Sequence, residues 1–220
     1  MSPKVVLSLL TLTTSVAVGT VLTKEEFNLA VTVNGYSAPD DQIYRRFAEN
    51  TGDFSREEAA MFIAQLIHES GGFEYTEQIA CSGNNSCEGV YDDGQGLPGR
   101  SYHGRGYIQL TWAGNYRLAS LGIGMREQDL LEYPGLVASD KGVAMQVSAW
   151  YWIARVRPLL KGREEMFGLT TVGINPQECV GAVNEQAKRR YSIYLKVAEV
   201  LGITNKSKEN GCYDSCLTPQ

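Results

Sequence analysis

The segment from Ser55 to Gly72 constrains the fold more than any other. Ser55-Arg56-Glu57-Glu58 has the form of a capping box, in which a serine and a glutamate three residues on satisfy orphan amides at a helix start. Ala59, Phe62, Ile63, Leu66 and Ile67 then recur at helical spacing, and Gly71-Gly72 supplies the stop. Further helices are expected around it. Thr23-Lys24-Glu25-Glu26 is a second capping box ahead of Phe27 and Val31, and after a turn at Asn34-Gly35 another helix starts at Pro39 and carries Ile43, Tyr44 and Phe47. Asp140 caps a segment with Val143, Val147, Trp150 and Ala154 on one side. A last helix runs from about Asn184 to Leu201, with Ala187, Tyr191, Tyr194, Ala198 and Leu201 on one face. No repeat and no strand-dominated alternation is present, so the chain reads as a mainly α single domain.

Between the helical blocks, Phe73 to Arg105 is rich in Gly, Asn, Asp and Ser and reads as long loops. A stretch of that length in a compact domain is usually functional or disordered. With 43% hydrophobic and 20% charged residues over 220 positions, the chain can build one real core. A cleft built by these loops on a helical body is the expected architecture.

The N-terminus reads as a leader. Met1 to Lys4 is a short basic start, Val5 to Val18 is apolar apart from Ser and Thr, and small residues at Ala17 and Gly19 offer a cleavage point. Residues 1–19 are therefore expected to be a secretory signal, 20–204 the folded domain and 205–220 a polar, cysteine-containing tail. Secretion favours disulfides over zinc for the five cysteines, none of which forms a Cys-x-x-Cys pair. Cys81 and Cys87 are expected to staple a small loop. Cys179 is expected to pair with Cys212 or Cys216, leaving one thiol over. Asn84 and Asn205 begin sequons.

Composition narrows the chemistry. A net charge of −5 argues against nucleic acid as partner. Two histidines, His68 and His103, leave little material for a metal site or a serine–histidine machine, and no metal and no cofactor are expected. Twelve tyrosines suit a wet, ring-shaped ligand such as a sugar.

Glu69 stands at the end of the strong helix, where the helix dipole tends to raise a carboxyl pKa, and Glu77 follows beyond the glycine turn. A chain folding back at Gly71-Gly72 can set two carboxyl groups across a cleft, as inverting glycoside hydrolysis requires. Two glutamates near a turn are more often solvated surface. The context is Tyr102-His103-Gly104-Arg105-Gly106-Tyr107-Ile108-Gln109-Leu110-Thr111-Trp112, followed by Asn115-Tyr116. Its glycines let backbone approach a cleft closely, and Gln109, Thr111 and Asn115 offer neutral groups for sugar hydroxyls, N-acetyl groups or a water. A dinucleotide loop would need a third glycine and a following amphipathic helix.

His68-Glu69-Ser70-Gly71-Gly72 together with the Gly-Arg-Gly-Tyr-Ile-Gln-Leu-Thr block resembles glycoside hydrolase family 19, the chitinases of plants, bacteria and other lineages. The likeness continues through Tyr133-Pro134-Gly135-Leu136-Val137, Ala149-Trp150-Tyr151-Trp152, Gly173-Ile174-Asn175 and Arg190-Tyr191-Ser192-Ile193-Tyr194. The resemblance implies a lysozyme-like, two-lobed fold and endo-hydrolysis of β-1,4-linked N-acetylglucosamine with inversion, the partner being chitin or its oligosaccharides. It further implies Glu69 as general acid, Glu77 as general base and Thr111 as a holder of the attacking water. His68, Tyr107, Gln109, Asn115 and Asn175 then stand at or near substrate-contacting positions, and Arg190 supports the carboxylates. Glu74 and Glu88 are neighbouring alternatives to Glu77, which is preferred because the stapled loop would pin it. Where the family usually reads Ile-Asn-Gly, this chain has Ile174-Asn175-Pro176, and Pro176 biases Asn175 toward extended backbone.

His68 and His103 read as packing or cleft-edge residues, Trp150 and Trp152 as core, and Arg105 as a buried charge orienting a carboxylate. A peptidoglycan hydrolase is the competing enzymatic reading, since both polymers contain N-acetylglucosamine. A chitin-binding protein without activity is the competing reading of another class, opposed by the presence of both glutamates. The mature protein is expected to be a secreted, extracellular monomer away from membranes.

Overall fold

The computed structural model describes residues 20–82, 87–180 and 184–213; the leader, Asn84 and Cys216 lie outside the described residues. Ten α-helices appear among them: α1 (Lys24–Thr32), α2 (Asp41–Asn50), α3 (Arg56–Ser70), α4 (Ala113–Gly122), α5 (Asp129–Glu132), α6 (Leu136–Ser139), α7 (Lys141–Tyr151), α8 (Arg157–Leu160), α9 (Gly168–Ile174) and α10 (Glu185–Val200). Strand pairing among the described residues is confined to isolated bridges.

The helix starts follow from local chemistry. Thr23 accepts from the Glu26 amide while the Glu26 carboxylate accepts from the Thr23 amide, the reciprocal box expected from the sequence. Asp40, Asp140 and Asn184 cap α2, α7 and α10 with side-chain oxygens. At Ser55 only half of the box forms. The serine accepts from the Glu58 amide, but the Glu58 carboxylate is drawn away to Trp152 Nε1 at 2.8 Å and to Arg157 Nε at 2.7 Å. A buried indole N–H and a guanidinium outbid an exposed backbone amide for that carboxylate.

α3 is enclosed on every side. Every residue from Ala59 to Ile67 is buried, including Met61, Ala64 and Gln65, which lie off the stripe visible in the sequence. α10 packs along α3, with α1 and α9 beside them, while α2, α4 and α6 pack on α7. One continuous apolar core joins these groups. α7 does not end cleanly: it passes through a π-helical turn, Trp152–Val156, into α8. Pro158 explains the turn, because its ring would clash with the carbonyl four residues back and its missing N–H breaks the α ladder. Trp152 is fully buried, and Trp150 is half-buried against Gly122. Both serve packing.

The described part of the segment after Thr204 is woven into the body. Lys208 pairs with Met166, Ser207, Glu209 and Cys212 are buried, and Gly168 passes so close that a Cβ there would lie 2.0 Å from the Glu209 carbonyl oxygen. Cys212 is bonded to Cys179, resolving the two open pairings, and Cys81 is bonded to Cys87.

Candidate active site

α3 ends on a reversal that sets up the site. Gly71, Gly72 and Phe73 all take positive φ, at 59°, 72° and 72°. Glycine does this freely, whereas Phe73 does so under strain offset by burying its ring against Phe27 and Tyr107. Ser70 ties the turn, donating to the Leu66 carbonyl and accepting from the Phe73 amide. The chain then runs back along the Gly-Arg-Gly loop. The Gln78 amide donates to the Gly104 carbonyl and the Gly106 amide to the Thr76 carbonyl, both at 2.8 Å, so Glu77 pairs with Arg105 across a short antiparallel bridge. Arg105 pairs in turn with Leu110. This bridge, and not the Cys81–Cys87 staple, fixes the backbone of Glu77.

Glu69 and Glu77 line one cavity of about 460 Å³, together with Tyr36, His68, Tyr75, Gln78, Gln109, Gln186 and Arg189. Their surroundings differ. Glu69 is largely buried and pairs with Arg190 at 2.6 Å. Burial raises its pKa above the usual carboxylate range; Arg190 opposes that, and the nearby Glu178 charge adds to it. The direction agrees with the expectation from the helix end, but loss of solvent is the larger cause.

Glu77 is 38% exposed to the cavity. Burial pushes its pKa up, but His103 and Arg105 together outweigh this and hold it below the usual range. One carboxylate oxygen accepts from Arg105 Nε at 3.1 Å and meets His103 Nε2 at 2.8 Å. The other ring nitrogen of His103 faces Arg105 Nη2, which can only donate, and the Ser101 hydroxyl. An ionised Glu77 can only accept, so Nε2 carries the proton that it receives as a hydrogen bond. Arg105 is itself anchored by the Ser101 carbonyl and the Tyr116 hydroxyl. The histidine at the cleft edge and the buried arginine are thus the two groups that hold Glu77. Glu74 and Glu88, the neighbouring alternatives, are exposed and line no common cavity with Glu69.

Behind Glu69 stands a carboxylate with no local sequence signal. Glu178 grips Arg190 through both oxygens, at 2.7 and 2.8 Å, and accepts from Asn175 Nδ2 at 2.9 Å. Arg190 also donates to Gln65, whose amide donates to Thr170. Arg190 is fully buried, so each of these partners compensates a charge that has lost its water. Asn175 has φ −141° and ψ 83°, close to the extended backbone that Pro176 favours, and Pro176 opens the short 3₁₀ turn Pro176–Cys179 bearing Glu178.

The residues singled out in the sequence divide into two groups. His68, Glu69, Glu77 and Gln109 line the cavity. Tyr107, Thr111, Asn115, Asn175 and Arg190 do not. Tyr107 is fully buried, and its hydroxyl has no hydrogen-bond partner among the described residues. Its place is in the core beneath the site, because its ring is the one that stacks edge-on against the strained Phe73. Asn115 donates to the Thr111 carbonyl in the first turn of α4, and Thr111 follows Leu110 at the end of the bridge. Asn175 touches Glu178 instead of the cavity. His68 is mostly buried, with Nδ1 unpartnered among the described residues, and burial, aided by Arg190 and Arg189, lowers its pKa to about 3. It is therefore a neutral imidazole in the working range. Among the described residues no group of three potential metal ligands occurs, and no helix is long and apolar enough to cross a membrane.

Comparison with known proteins converges on one family. The model of chitinase class I matches residues 32–159. An endochitinase of Arabidopsis thaliana is 35% identical over 196 residues, covering 85% of this chain and 66% of the relative. A second Arabidopsis endochitinase is 39% identical, and the chain spans 51% of its length. Among solved structures, chitinase C from Streptomyces griseus superposes with a TM-score of 0.71 at 28% identity, over 87% of this chain and 80% of that one. A class IV chitinase from Zea mays gives a TM-score of 0.59 at 28% identity, over 84% and 83%. The mostly helical, lysozyme-like fold is shared with these enzymes, and the chain belongs to glycoside hydrolase family 19, the class I chitinases.

Proposed function

We propose that the protein is a secreted endochitinase that hydrolyses β-1,4-linked N-acetylglucosamine polymers with inversion. One observation carries the reading: two carboxyl groups line a single cavity, and their surroundings push the two pKa values in opposite directions. Glu69, whose protonated form burial favours, gives its proton to the leaving glycosidic oxygen. Glu77, kept ionised by His103 and Arg105, takes a proton from the water that attacks the anomeric carbon from the opposite face. Arg190 stabilises the carboxylate that Glu69 becomes, so the acid is not lost to an uncompensated buried charge. Gln109 binds substrate from the cavity wall. Secretion is supported by the apolar leader and the two disulfides.

The test is hydrolysis of a chitin oligomer with the product examined by NMR before mutarotation. An α-anomer from the β-linked substrate is the expected product. A β-anomer would demand a covalent intermediate and overturn the assignment of Glu77 as base.

A further inference from the structure

The charges lining the cavity do not cancel evenly. Glu69 is paired with Arg190, and Glu77 with Arg105 and His103. Arg189 lines the same cavity from α10, and among the described residues no carboxylate lies within 4 Å of its guanidinium. Its position is set by Tyr36, whose hydroxyl accepts from Arg189 Nη2 at 2.7 Å. Tyr36 is in turn wedged against the turn after α3, where a Cβ on Gly72 would lie 2.5 Å from the tyrosine Cβ. The catalytic reversal and the cation are thus coupled through one ring. The field of Arg189 reaches into the site, since it helps to lower the pKa of His68, next to the acid.

We infer that Arg189 is a specificity-determining residue that selects the charge state of the sugar chain, admitting neutral N-acetylglucosamine units and disfavouring units whose acetyl group is missing and whose amine is protonated. The inference rests on the proposed chitinase reading and deepens it. An acetamido group carries a carbonyl and a methyl that an ammonium lacks, so shape can already favour the acetylated unit, and charge adds a separate discrimination. A fixed cation with no carboxylate beside it repels the ammonium at no cost to the neutral unit, which is specificity by an unfavourable contact. Because the cavity is open to solvent, the repulsion is moderate and screened by salt.

The experiment compares kcat/KM on a chitin hexamer with kcat/KM on a hexamer of the same length carrying a single glucosamine, below the pKa of that amine. Expected is a preference for the acetylated chain that falls by roughly three- to tenfold in Arg189→Gln, survives in Arg189→Lys and shrinks as salt rises. Tyr36→Phe, which loosens the cation without removing it, is expected to fall between them. An unchanged preference in Arg189→Gln would overturn the inference while leaving the proposed function standing. So would equal loss in the Lys and Gln variants, because shape and not charge would then be responsible. No hydrolysis of the acetylated hexamer by the wild-type protein would instead overturn the function itself.

Discussion

Two carboxylates share one cavity, and the chain treats them in opposite ways. Glu69 stands on the most deeply buried helix of the molecule, held through Arg190 to a second carboxylate, Glu178. Glu77 stands on an irregular segment whose backbone is fixed by pairing with Arg105 and whose side chain faces two proton donors and the open cavity. On the proposed mechanism the helix carries the proton donor and the loop carries the group that meets water. Burial prevails at the first, whereas at the second the hydrogen bonds and charges of His103 and Arg105 together outweigh it, so one residue type can serve two tasks.

The largest expected effect comes from Glu69→Gln, which keeps the shape and removes the proton. Turnover is expected to fall by about 10²–10⁴-fold or more. Circular dichroism and the unfolding midpoint are expected to stay close to wild type, since Arg190 keeps its grip on Glu178. Turnover within a few-fold of wild type would mean that the acid lies elsewhere.

Glu178→Gln tests the support behind that acid. It strips the compensating charge from a buried arginine, at a stability cost on the order of 3 kcal/mol by denaturant titration. Glu178 helps to raise the pKa of Glu69, so its neutralisation leaves Arg190 acting on Glu69 alone and lowers that pKa. On the proposed mechanism activity needs Glu69 protonated. The alkaline limb of the kcat/KM profile is therefore expected to move to lower pH, and a limb that stays in place would uncouple the two carboxylates.

Arg105→Gln makes the complementary change at the base. With the guanidinium gone, burial is opposed by His103 alone and the pKa of Glu77 rises. On the proposed mechanism activity needs Glu77 ionised, so the acid limb is expected to move to higher pH, while turnover at its optimum falls roughly tenfold from looser positioning. A shift of the alkaline limb instead would assign the two roles the other way round.

The difference between the two sites also governs what the sequence alone reveals. α1, α2, α3, α7 and α10 are legible because their signals are local: a cap, a 3.6-residue period and a glycine stop. Glu69 is legible for the same reason, being placed by the helix it ends. Glu77 is legible only in part, because the bridge that positions it joins residues 28 apart, Glu77 and Arg105. Glu178 carries no local mark at all. Arg190 offers an indirect one, since a charged residue beside Ala187, Tyr191 and Tyr194 on the buried side of α10 must find a carboxylate somewhere. α8 and the π turn before it escape for another reason: Pro158 in a helical pattern signals a break, and the chain adopts a local rewinding instead. Tyr107, Asn115 and Asn175 sit inside sequence blocks that form the site, yet they shape it from beneath or behind and not from the cavity wall.

The smallest expected effect concerns the disulfide next to Glu77. Were Cys81–Cys87 the device that places the base, replacing both cysteines by serine would misplace Glu77 and lower turnover by about 10²-fold. The bridge argues otherwise. Gln78 and Thr76 are each bonded to the Gly-Arg-Gly loop on either side of Glu77, and those bonds persist without the staple. What the disulfide restricts is the segment between its own two cysteines, at a sequence separation of 6. Chain entropy for a loop that small gives about 2 kcal/mol at most, and a locally closed loop returns only part of it to global stability. The double serine variant is therefore expected to lose a few degrees or less in thermal midpoint and less than about threefold in turnover. A loss approaching 10²-fold, with the midpoint preserved, would show that the staple governs the base after all and that the backbone pairing at Arg105 depends on it.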